Sequence, residues 1–290
     1  MQNVIEISED KIKKEFNTIK QGKDNGYSTG YNWNEIVLYF QWKEFYKKEI
    51  ELWNENKIYR GLPLQSWIYL NRLKYIGKGA QELTFREILR AFKITGIHIG
   101  NSFHSPFYIQ QFIKDYNIKS ILDYSGGWGH RLLGAWNIPY IYNDINTVTM
   151  ENCKRMAQYF KLKDKIFYSM DSKELKLKET YEACFSCPPY WNTEIYSKNG
   201  AENLSYNEFL NDWWERTILN TFLFKDKCKY FAFIINHHFK NDMEQKCIEM
   251  GLIKIKEIRV GRASYSHLEK GKHNDKKGEF LLVFTKKMYL

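Results

Sequence analysis

The chain has 290 residues, of which 43% are hydrophobic and 17% aromatic, and it carries a formal net charge of +10. This composition excludes a disordered polypeptide, and the absence of an apolar run near 18 residues excludes a predicted transmembrane helix. The positive charge favours a polyanionic partner such as nucleic acid. A charged amino terminus without a secretory apolar core, and five cysteines without disulfide spacing, predict a cytoplasmic location and no association with a membrane.

Residues 1–100 are predicted to form a helical N-terminal region and a possible DNA-recognition element. Apolar periodicity indicates helices from about Asp10 to Lys57, a break at Gly61-Leu62-Pro63, and a helix at Ser66–Tyr75. Thr84 is expected to cap a further helix that extends to about Lys93. Arg86 and Arg90 on this last helix can lie on DNA, although packing of the helix against the sheet is equally consistent with the pattern.

Residues 101–290 are predicted to form a second domain, because short apolar strands here alternate with helices, and the resemblance given below implies that it is the catalytic domain. This alternation is typical of a parallel sheet covered on both faces, and the last two strands, without a helix between them, predict an antiparallel hairpin. The predicted strands are Ser120–Tyr124, Tyr140–Asn143, Lys165–Ser169, Tyr181–Ser186, Lys229–Ile235, Leu252–Val260 and Glu279–Thr285. The predicted helices include Trp128–Ala135, Val148–Tyr159, Tyr206–Phe222 with Ser205 as its cap, and Asp242–Met250 with Asn241 as its cap.

A glycine-rich turn follows the first of these strands and opens a helix. It contains Gly126, Gly127 and Gly129, while Asp144 ends the next strand, 21 residues after Asp123. Glycines allow close approach of the backbone to a ligand, and an acid at this distance can bind ribose hydroxyls. The pattern predicts an adenosine-containing ligand without distinguishing a nicotinamide dinucleotide from S-adenosylmethionine, and Asp123 within the first strand favours the latter.

The segment after the fourth strand reads Cys187-Pro188-Pro189-Tyr190-Trp191. Over roughly residues 103–290 the chain resembles the S-adenosylmethionine-dependent amino-methyltransferases of DNA, of the phage or restriction–modification type, whose signature is Asp/Asn/Ser-Pro-Pro-aromatic. The resemblance implies a Rossmann-like class I methyltransferase fold. Its seven-stranded, mostly parallel sheet would have the order 3-2-1-4-5-7-6, an antiparallel C-terminal hairpin and a helical N-terminal extension.

The resemblance also implies the residues of the site and the substrate. Methyl transfer would go from S-adenosylmethionine to cytosine N4 or adenine N6 of a base flipped out of double-stranded DNA. Tyr190 would stack on that base and the carbonyl of Pro188 would orient its amine, with no metal required. The implied catalytic residues are Cys187, Pro188, Pro189 and Tyr190. The implied cofactor-binding residues are Ser105, Pro106, Phe107, Asp123, Ser125, Gly126, Gly127, Gly129, Asp144 and Asp171.

Cys187 departs from the signature, because a thiol is a weaker hydrogen-bond acceptor than the usual side chains at this position. Ser186 can replace it only if the strand end shifts its register. Cys187 as a nucleophile for pyrimidine C5 is a further interpretation. An RNA or protein-amide methyltransferase, and a catalytically inactive subunit that binds S-adenosylmethionine and nucleic acid, are the alternative functions.

The positive charge is concentrated near the C-terminus, where residues 251–290 hold ten basic and four acidic side chains. In the predicted fold the loop between the last two strands opens beside the glycine turn and the proline pair. Its basic side chains are therefore predicted to border the substrate entrance and bind nucleic acid. These residues are Arg259, Arg262, Lys270, Lys272, Lys276 and Lys277.

Overall fold

The computed structural model describes residues 7–22, 35–71, 88, 91–92, 104–191, 201–260 and 278–289. The chain divides into two compact units. One comprises Met1–Glu15 and Asn34–Phe103, and the other comprises Phe16–Trp33 and His104–Leu290. The predicted domains, 1–100 and 101–290, remain a prediction.

The described part of the smaller unit is largely helical. Its helices are α1 (Glu9–Gln21, which continues into the larger unit), α2 (Glu35–Phe45), α3 (Lys47–Glu55) and α4 (Leu64–Leu70). The predicted break at residues 61–63 forms a short hairpin that pairs Ile58–Tyr59 with Leu62–Pro63. A core of Trp67, Ile68 and Phe92 lies behind it. The predicted helix at 84–93, with Arg86 and Arg90, lies largely outside the described residues.

The larger unit contains a seven-stranded mixed sheet. In chain order its strands are β1 (Ile121–Asp123), β2 (Tyr140–Asn143), β3 (Lys165–Tyr168), β4 (Ala183–Ser186), β5 (Tyr230–Asn236), β6 (Leu252–Val260) and β7 (Glu279–Lys286). They lie in the order β3-β2-β1-β4-β5-β7-β6. The first five strands are parallel, and β7 is antiparallel to both β5 and β6. This order confirms the predicted Rossmann-like class I methyltransferase fold.

The α-helices of the larger unit alternate with its strands, except that β3 and β4 are joined through only a short 3₁₀ helix at Ser172–Glu174. The α-helices are α5 (Pro106–Tyr116), α6 (His130–Gly134), α7 (Thr147–Tyr159), α8 (residues 206–223) and α9 (Lys240–Glu249). Within α8, π-helical turns at Phe209–Trp214 and Leu219–Leu223 interrupt the α-helical ones. The predicted cap at Asn241 is wrong, because α9 begins at Lys240. A turn at the end of β5 leads into α9, and in it the side chain of Asn236 accepts the His238 N–H at 3.0 Å.

Alternate residues of β5 face opposite sides of the sheet, and residues 231–235 are all buried. Phe231 and Phe233 belong to one apolar cluster, together with Trp214, while Ala232 and Ile234 belong to the other. A strand covered on both faces in this way is typical of a parallel sheet between helical layers. The predicted assignment of Trp213, Trp214 and Cys184 to the core is confirmed, since they are 3%, 0% and 0% exposed.

No helix among the described residues is both long and apolar enough to cross a lipid bilayer.

Candidate active site

The glycine turn and the proline pair lie side by side because β1 and β4 are parallel neighbours. Their carboxyl ends therefore meet at one edge of the sheet, where ligands bind in open α/β folds. One hydrogen bond joins the two segments directly: the backbone N–H of Ser125 donates to the hydroxyl oxygen of Ser186 at 3.0 Å. The structure thus brings together two motifs that lie about 60 residues apart in the sequence.

Asp123 is fully buried beneath this edge and acts as its anchor. One carboxylate oxygen accepts hydrogen bonds from Arg131 Nε at 2.7 Å and from the Tyr140 hydroxyl at 2.5 Å. The other oxygen accepts from the Ser186 hydroxyl at 2.6 Å and from the Ser125 N–H at 3.4 Å. Its predicted contact with a cofactor remains a prediction, while the structure gives it a role in holding the glycine turn.

Ser186 cannot replace Cys187 in the signature. Its side chain is fully buried and its hydroxyl donates to Asp123. The register Ser186↔Phe233 between β4 and β5 is regular, so no shift exposes this hydroxyl. Cys187 therefore occupies the first position of the proline motif, half-buried at the sheet edge.

Close packing requires glycine at two of the three turn positions, Gly126 and Gly129. A Cβ on Gly126 would lie 2.1 Å from the ring of Tyr142, and one on Gly129 would lie 3.0 Å from Cys153 Sγ. Gly127 and Gly129 have positive φ angles of +58° and +96°, which L side chains rarely adopt. Gly127 differs from the other two because a Cβ there would meet nothing closer than 3.8 Å.

Asp144 lies half-buried after β2 and reaches back to the turn. Its Oδ2 accepts the Gly127 N–H at 2.7 Å and its Oδ1 accepts the Asn146 N–H at 2.9 Å. Burial raises the pKa of Asp144 to about 6, although the two backbone hydrogen bonds lower it in part. Each carboxylate oxygen retains acceptor capacity beyond one hydrogen bond, which a ribose hydroxyl can use.

Asp171 follows β3 and lies on the same side of the glycine turn as Asp144. Its Oδ1 accepts the indole N–H of Trp213 at 2.8 Å and the backbone N–H of Lys173 at 3.1 Å. The half-buried carboxylate is thus fixed in orientation by the core helix α8. The sequence interpretation of Trp213 as a core residue did not include this contact with a predicted site residue.

Ser105, Pro106 and Phe107 begin α5, and all three are buried. The Ser105 hydroxyl accepts the Phe107 N–H at 3.2 Å as the helix cap. A Cβ on Gly134 would lie 2.2 Å from the carbonyl oxygen of Pro106, so α5 and α6 are in close contact. The role of Ser105, Pro106 and Phe107 in binding a cofactor remains a prediction.

Cys187 and Tyr190 belong to a cluster that the sequence did not reveal. The Tyr190 hydroxyl lies 3.6 Å from Cys187 Sγ and donates to Glu279 Oε1 at 2.8 Å. His104 Nε2 lies 3.3 Å from Glu279 Oε2. Between Cys187 and Tyr190 in the sequence, Pro188 is buried and Pro189 is half-buried.

The electrostatics of this cluster keep an ion pair charged. Burial opposes the charge on Glu279, but the neighbouring His104 outweighs it and lowers the pKa of Glu279 to about 2. Burial likewise opposes the charge on His104, but Cys187 and Glu279 together raise the pKa of His104 to about 10. Burial raises the pKa of Tyr190 well above its usual value, so Tyr190 remains a hydrogen-bond donor.

The predicted nucleic-acid-binding residues are only partly described. Arg259 lies on β6 opposite Phe280, half-buried, next to the end of the strand. Val260 and Glu279 are paired, and Glu279 pairs with Asn236 at the carboxyl end of β5. The segment between β6 and β7 therefore starts and ends at the edge of the candidate site. Arg262, Lys270, Lys272, Lys276 and Lys277 lie outside the described residues.

The residues at this edge fit S-adenosylmethionine. The half-buried acid after β2, a second acid after β3 and an unobstructed Gly127 suit a ribose and an adenine beside a glycine turn. In the part of the chain that the structure describes, no group of three or more His, Cys, Asp or Glu side chains is arranged to hold a metal ion. Asp144, Asp171 and the turn backbone would hold the ligand.

Comparison with known proteins found no matching family model and no matching curated protein sequence. Solved structures are similar in fold. An S-adenosylmethionine-dependent methyltransferase from Clostridium acetobutylicum is 10% identical, with a TM-score of 0.46, over 70% of this chain and 98% of that one. The human methyltransferase 10 domain containing protein is 10% identical, with a TM-score of 0.47, over 84% of this chain and 100% of that one.

A dimethyladenosine transferase from Plasmodium falciparum is 13% identical, with a TM-score of 0.43, over 65% of this chain and 64% of that one. Similarity at this level carries no information about a substrate. The function therefore has to follow from the geometry of the site.

His104, Arg131 and Glu279 are the side chains that sequence reasoning missed. His104 and Glu279 have partners far away in the sequence, whereas Arg131 pairs with Asp123 only eight residues before it. The predicted start of the last strand at Glu279 offered one signal, and the structure pairs this residue with Asn236 at the end of β5. Buried charged residues such as Arg131, which is 6% exposed, are usually paired, but a sequence does not reveal which positions are buried.

Proposed function

We propose that this protein is a methyltransferase that moves the methyl group of S-adenosylmethionine to an exocyclic amino group of a DNA base. The target is cytosine N4 or adenine N6 of a base flipped out of the duplex. The fold supports methyl transfer, and the resemblance of the Cys187-Pro188-Pro189-Tyr190 segment supports the amino group and DNA.

One observation carries the proposal: the proline pair and the glycine turn lie at one sheet edge and share the Ser125–Ser186 hydrogen bond. A methyl donor bound at the turn would then face an acceptor bound at the proline pair. Bringing the two reactants together in fixed orientation is a large contribution to the rate, and no covalent intermediate is needed.

The residues of the site have distinct roles in this proposal. When bound, S-adenosylmethionine supplies an electrophilic methyl group on a sulfonium. Asp144 binds the ribose, and the turn that Asp123 anchors leaves space for the ligand beside Gly127. The carbonyl of Pro188 orients the target amine, and the ring of Tyr190, held by Glu279, stacks on the base.

The experiment is transfer of a radiolabelled methyl group to DNA, RNA and protein in parallel, with binding of S-adenosylmethionine measured separately by calorimetry. We expect label in DNA. Label in RNA alone would identify an RNA methyltransferase, and label in protein alone an amide methyltransferase. Calorimetric binding without transfer to any substrate would indicate an inactive binding subunit, and each of these three results would contradict the proposal.

A further inference from the structure

Four polar side chains from three separate elements meet at the proline pair. His104 immediately precedes the cap of α5, Cys187 and Tyr190 follow β4, and Glu279 is the first residue of β7. They form a chain of contacts from His104 through Glu279 and Tyr190 to Cys187, with distances of 3.3, 2.8 and 3.6 Å. We call these four residues the His104–Cys187 cluster.

The sheet order explains why a residue of the last strand reaches the proline pair. β5 lies between β4 and β7, pairing Ser186 with Phe233 on one side and Glu279 with Asn236 on the other. Because β7 is antiparallel to β5, its first residue stands at the carboxyl edge of the parallel strands. Glu279 is thus two strands away from β4, and the side chain of Tyr190 spans the gap.

Glu279 is the acidic member of the cluster and is reachable from solvent. Its side chain is 28% exposed, whereas that of His104 is 10% exposed. Its oxygens contact Tyr190 and His104, but a carboxylate offers about four lone-pair sites, so each oxygen can accept another hydrogen bond. The pKa of Glu279, about 2, keeps this side chain ionised at neutral pH.

We propose that Glu279 is a catalytic residue that supplies, from the last strand, the hydrogen-bond acceptor for the target amine that Cys187 supplies poorly. The inference rests on the proposed function. The resembled enzymes carry Asp, Asn or Ser at the position of Cys187, and a carboxylate is a far stronger acceptor than a thiol. His104 is a positioning residue that keeps the carboxylate charged and oriented.

The bond between the amine nitrogen and the methyl carbon forms while the bond between that carbon and the sulfonium sulfur breaks. The nitrogen then carries one proton in excess, which passes to a carboxylate oxygen of Glu279 and on to water. No oxidant, reductant or metal takes part, and the carboxylate is restored.

The first test compares Glu279→Gln with the wild-type protein. A side chain that assists proton transfer contributes about 10²–10⁴-fold to rate, so we expect kcat to fall at least about 100-fold. The dissociation constant for S-adenosylmethionine should change less than about threefold. The matched control is Glu179→Gln, because Glu179 accepts the Tyr168 hydroxyl at 2.7 Å in the same way away from the proline pair.

Relocation of the carboxylate separates a catalytic from a structural role. In the double variant C187D/E279Q an acid returns to the position of the signature, and kcat should recover at least tenfold over E279Q. Tyr190→Phe removes the hydroxyl that Glu279 holds. If Y190F lost as much activity as E279Q and C187D gave no recovery, Glu279 would act only through Tyr190 and the proposal would be wrong.

A binding measurement without S-adenosylmethionine distinguishes failure of this inference from failure of the proposed function. Oligo-dC and oligo-dA differ from oligo-dU and oligo-dI in carrying an amino group instead of a carbonyl at the relevant ring position. We expect wild-type protein to bind the amino-bearing strands more tightly and E279Q to lose that preference. The thermal unfolding midpoint of each variant shows that its fold is retained, and H104Q/E279Q, with both charges removed, provides a second variant.

The outcomes then differ clearly. An equal preference in wild type and E279Q, or a kcat of E279Q within threefold of wild type, overturns the inference whether or not DNA is the substrate. A preference that depends on Glu279, without methyl transfer to DNA, contradicts the proposed function and confines Glu279 to binding.

Discussion

The carboxylate of Asp144 is the most direct link between the glycine turn and a bound ligand. Asp144→Asn keeps the shape but replaces one acceptor oxygen with an amide donor. Because a hydrogen bond to a charged group contributes about 1.5–3 kcal/mol, we expect affinity for S-adenosylmethionine to fall roughly 10–100-fold. Isothermal titration calorimetry measures this loss, and an unchanged dissociation constant would reject the ribose assignment.

The pH dependence of binding follows from the same side chain. The pKa of Asp144 is raised to about 6 by burial, so the carboxyl is protonated below that pH and ionised above it. A neutral carboxyl is a poorer acceptor, and wild-type affinity should therefore weaken as the pH falls below 6. The affinity of D144N should be nearly flat over the same range, and parallel curves for the two proteins would contradict the prediction.

Gly126 is the residue whose side chain the packing excludes most strictly. In Gly126→Ala the new methyl group would overlap the ring of Tyr142, whose hydroxyl holds the Gly127 carbonyl at 2.6 Å. Overpacking of this kind costs roughly 1–3 kcal/mol, and the displaced ring should also weaken binding of S-adenosylmethionine. Urea unfolding and calorimetry measure the two effects.

Gly251→Ala provides the comparison for Gly126. Gly251 has a φ of +84° with nothing within 4 Å of an added Cβ, so its substitution strains the backbone without touching the site. It should lower stability and leave binding unchanged. Equal loss of binding in the two variants would mean that stability alone explains the Gly126 result.

The helix α7 begins with a side-chain cap at Asn146. The Asn146 side chain accepts the N–H groups of Val148 and Thr149 at 3.0 and 3.1 Å. Loss of such a cap costs about 1 kcal/mol, so Asn146→Ala should lower the free energy of unfolding by that amount. Asn146→Asp preserves the cap and should be near wild type. Equal unfolding midpoints for N146A and N146D would contradict the assignment.

Strand positions were the most predictable part of the chain. The bounds of β2 and β6 agree with the sequence prediction because short β-branched and aromatic runs between turn residues are strong local signals. The π-helical turns in α8 and the start of α9 were not predictable in the same way. They depend on packing of residues such as Trp214 and on the Asn236 turn, which are tertiary effects.

The candidate site was predictable only where a contiguous motif carries it. The glycine turn, Asp144 and the proline pair follow from local spacing and resemblance. His104 and Glu279 come from opposite ends of the larger unit, and only the strand order brings them to Cys187. Of the buried Asp123–Arg131 ion pair, the sequence analysis identified Asp123 as a site residue but did not identify Arg131 as its partner.

The sequence predicts that the excess positive charge of the molecule, concentrated in residues 251–290, borders the substrate entrance. Neutralising four lysines between β6 and β7 should weaken DNA binding and reduce the slope of log affinity against log salt by about 0.9 for each lost phosphate contact. The four are Lys270, Lys272, Lys276 and Lys277. Binding titrations at several salt concentrations measure the slope.

A matched set of lysines lies at the other end of the strands. These exposed residues precede β3 and β4, and their neutralisation removes the same charge from a different surface. They are Lys161, Lys163, Lys176 and Lys178. The same reduction of slope in both variants would show that only net charge matters.

In the proposed function, a base amine held at the proline pair receives its methyl group from a donor bound at the glycine turn. Mass spectrometry of nucleosides from DNA treated with wild-type protein and with Tyr190→Ala tests this central claim most directly. We expect N4-methylcytosine or N6-methyladenine with the wild type, and at least about a tenfold loss in Y190A, because base stacking contributes about 1–3 kcal/mol. Neither nucleoside in treated DNA, with binding of S-adenosylmethionine demonstrated, or equal amounts with both proteins, would contradict the account.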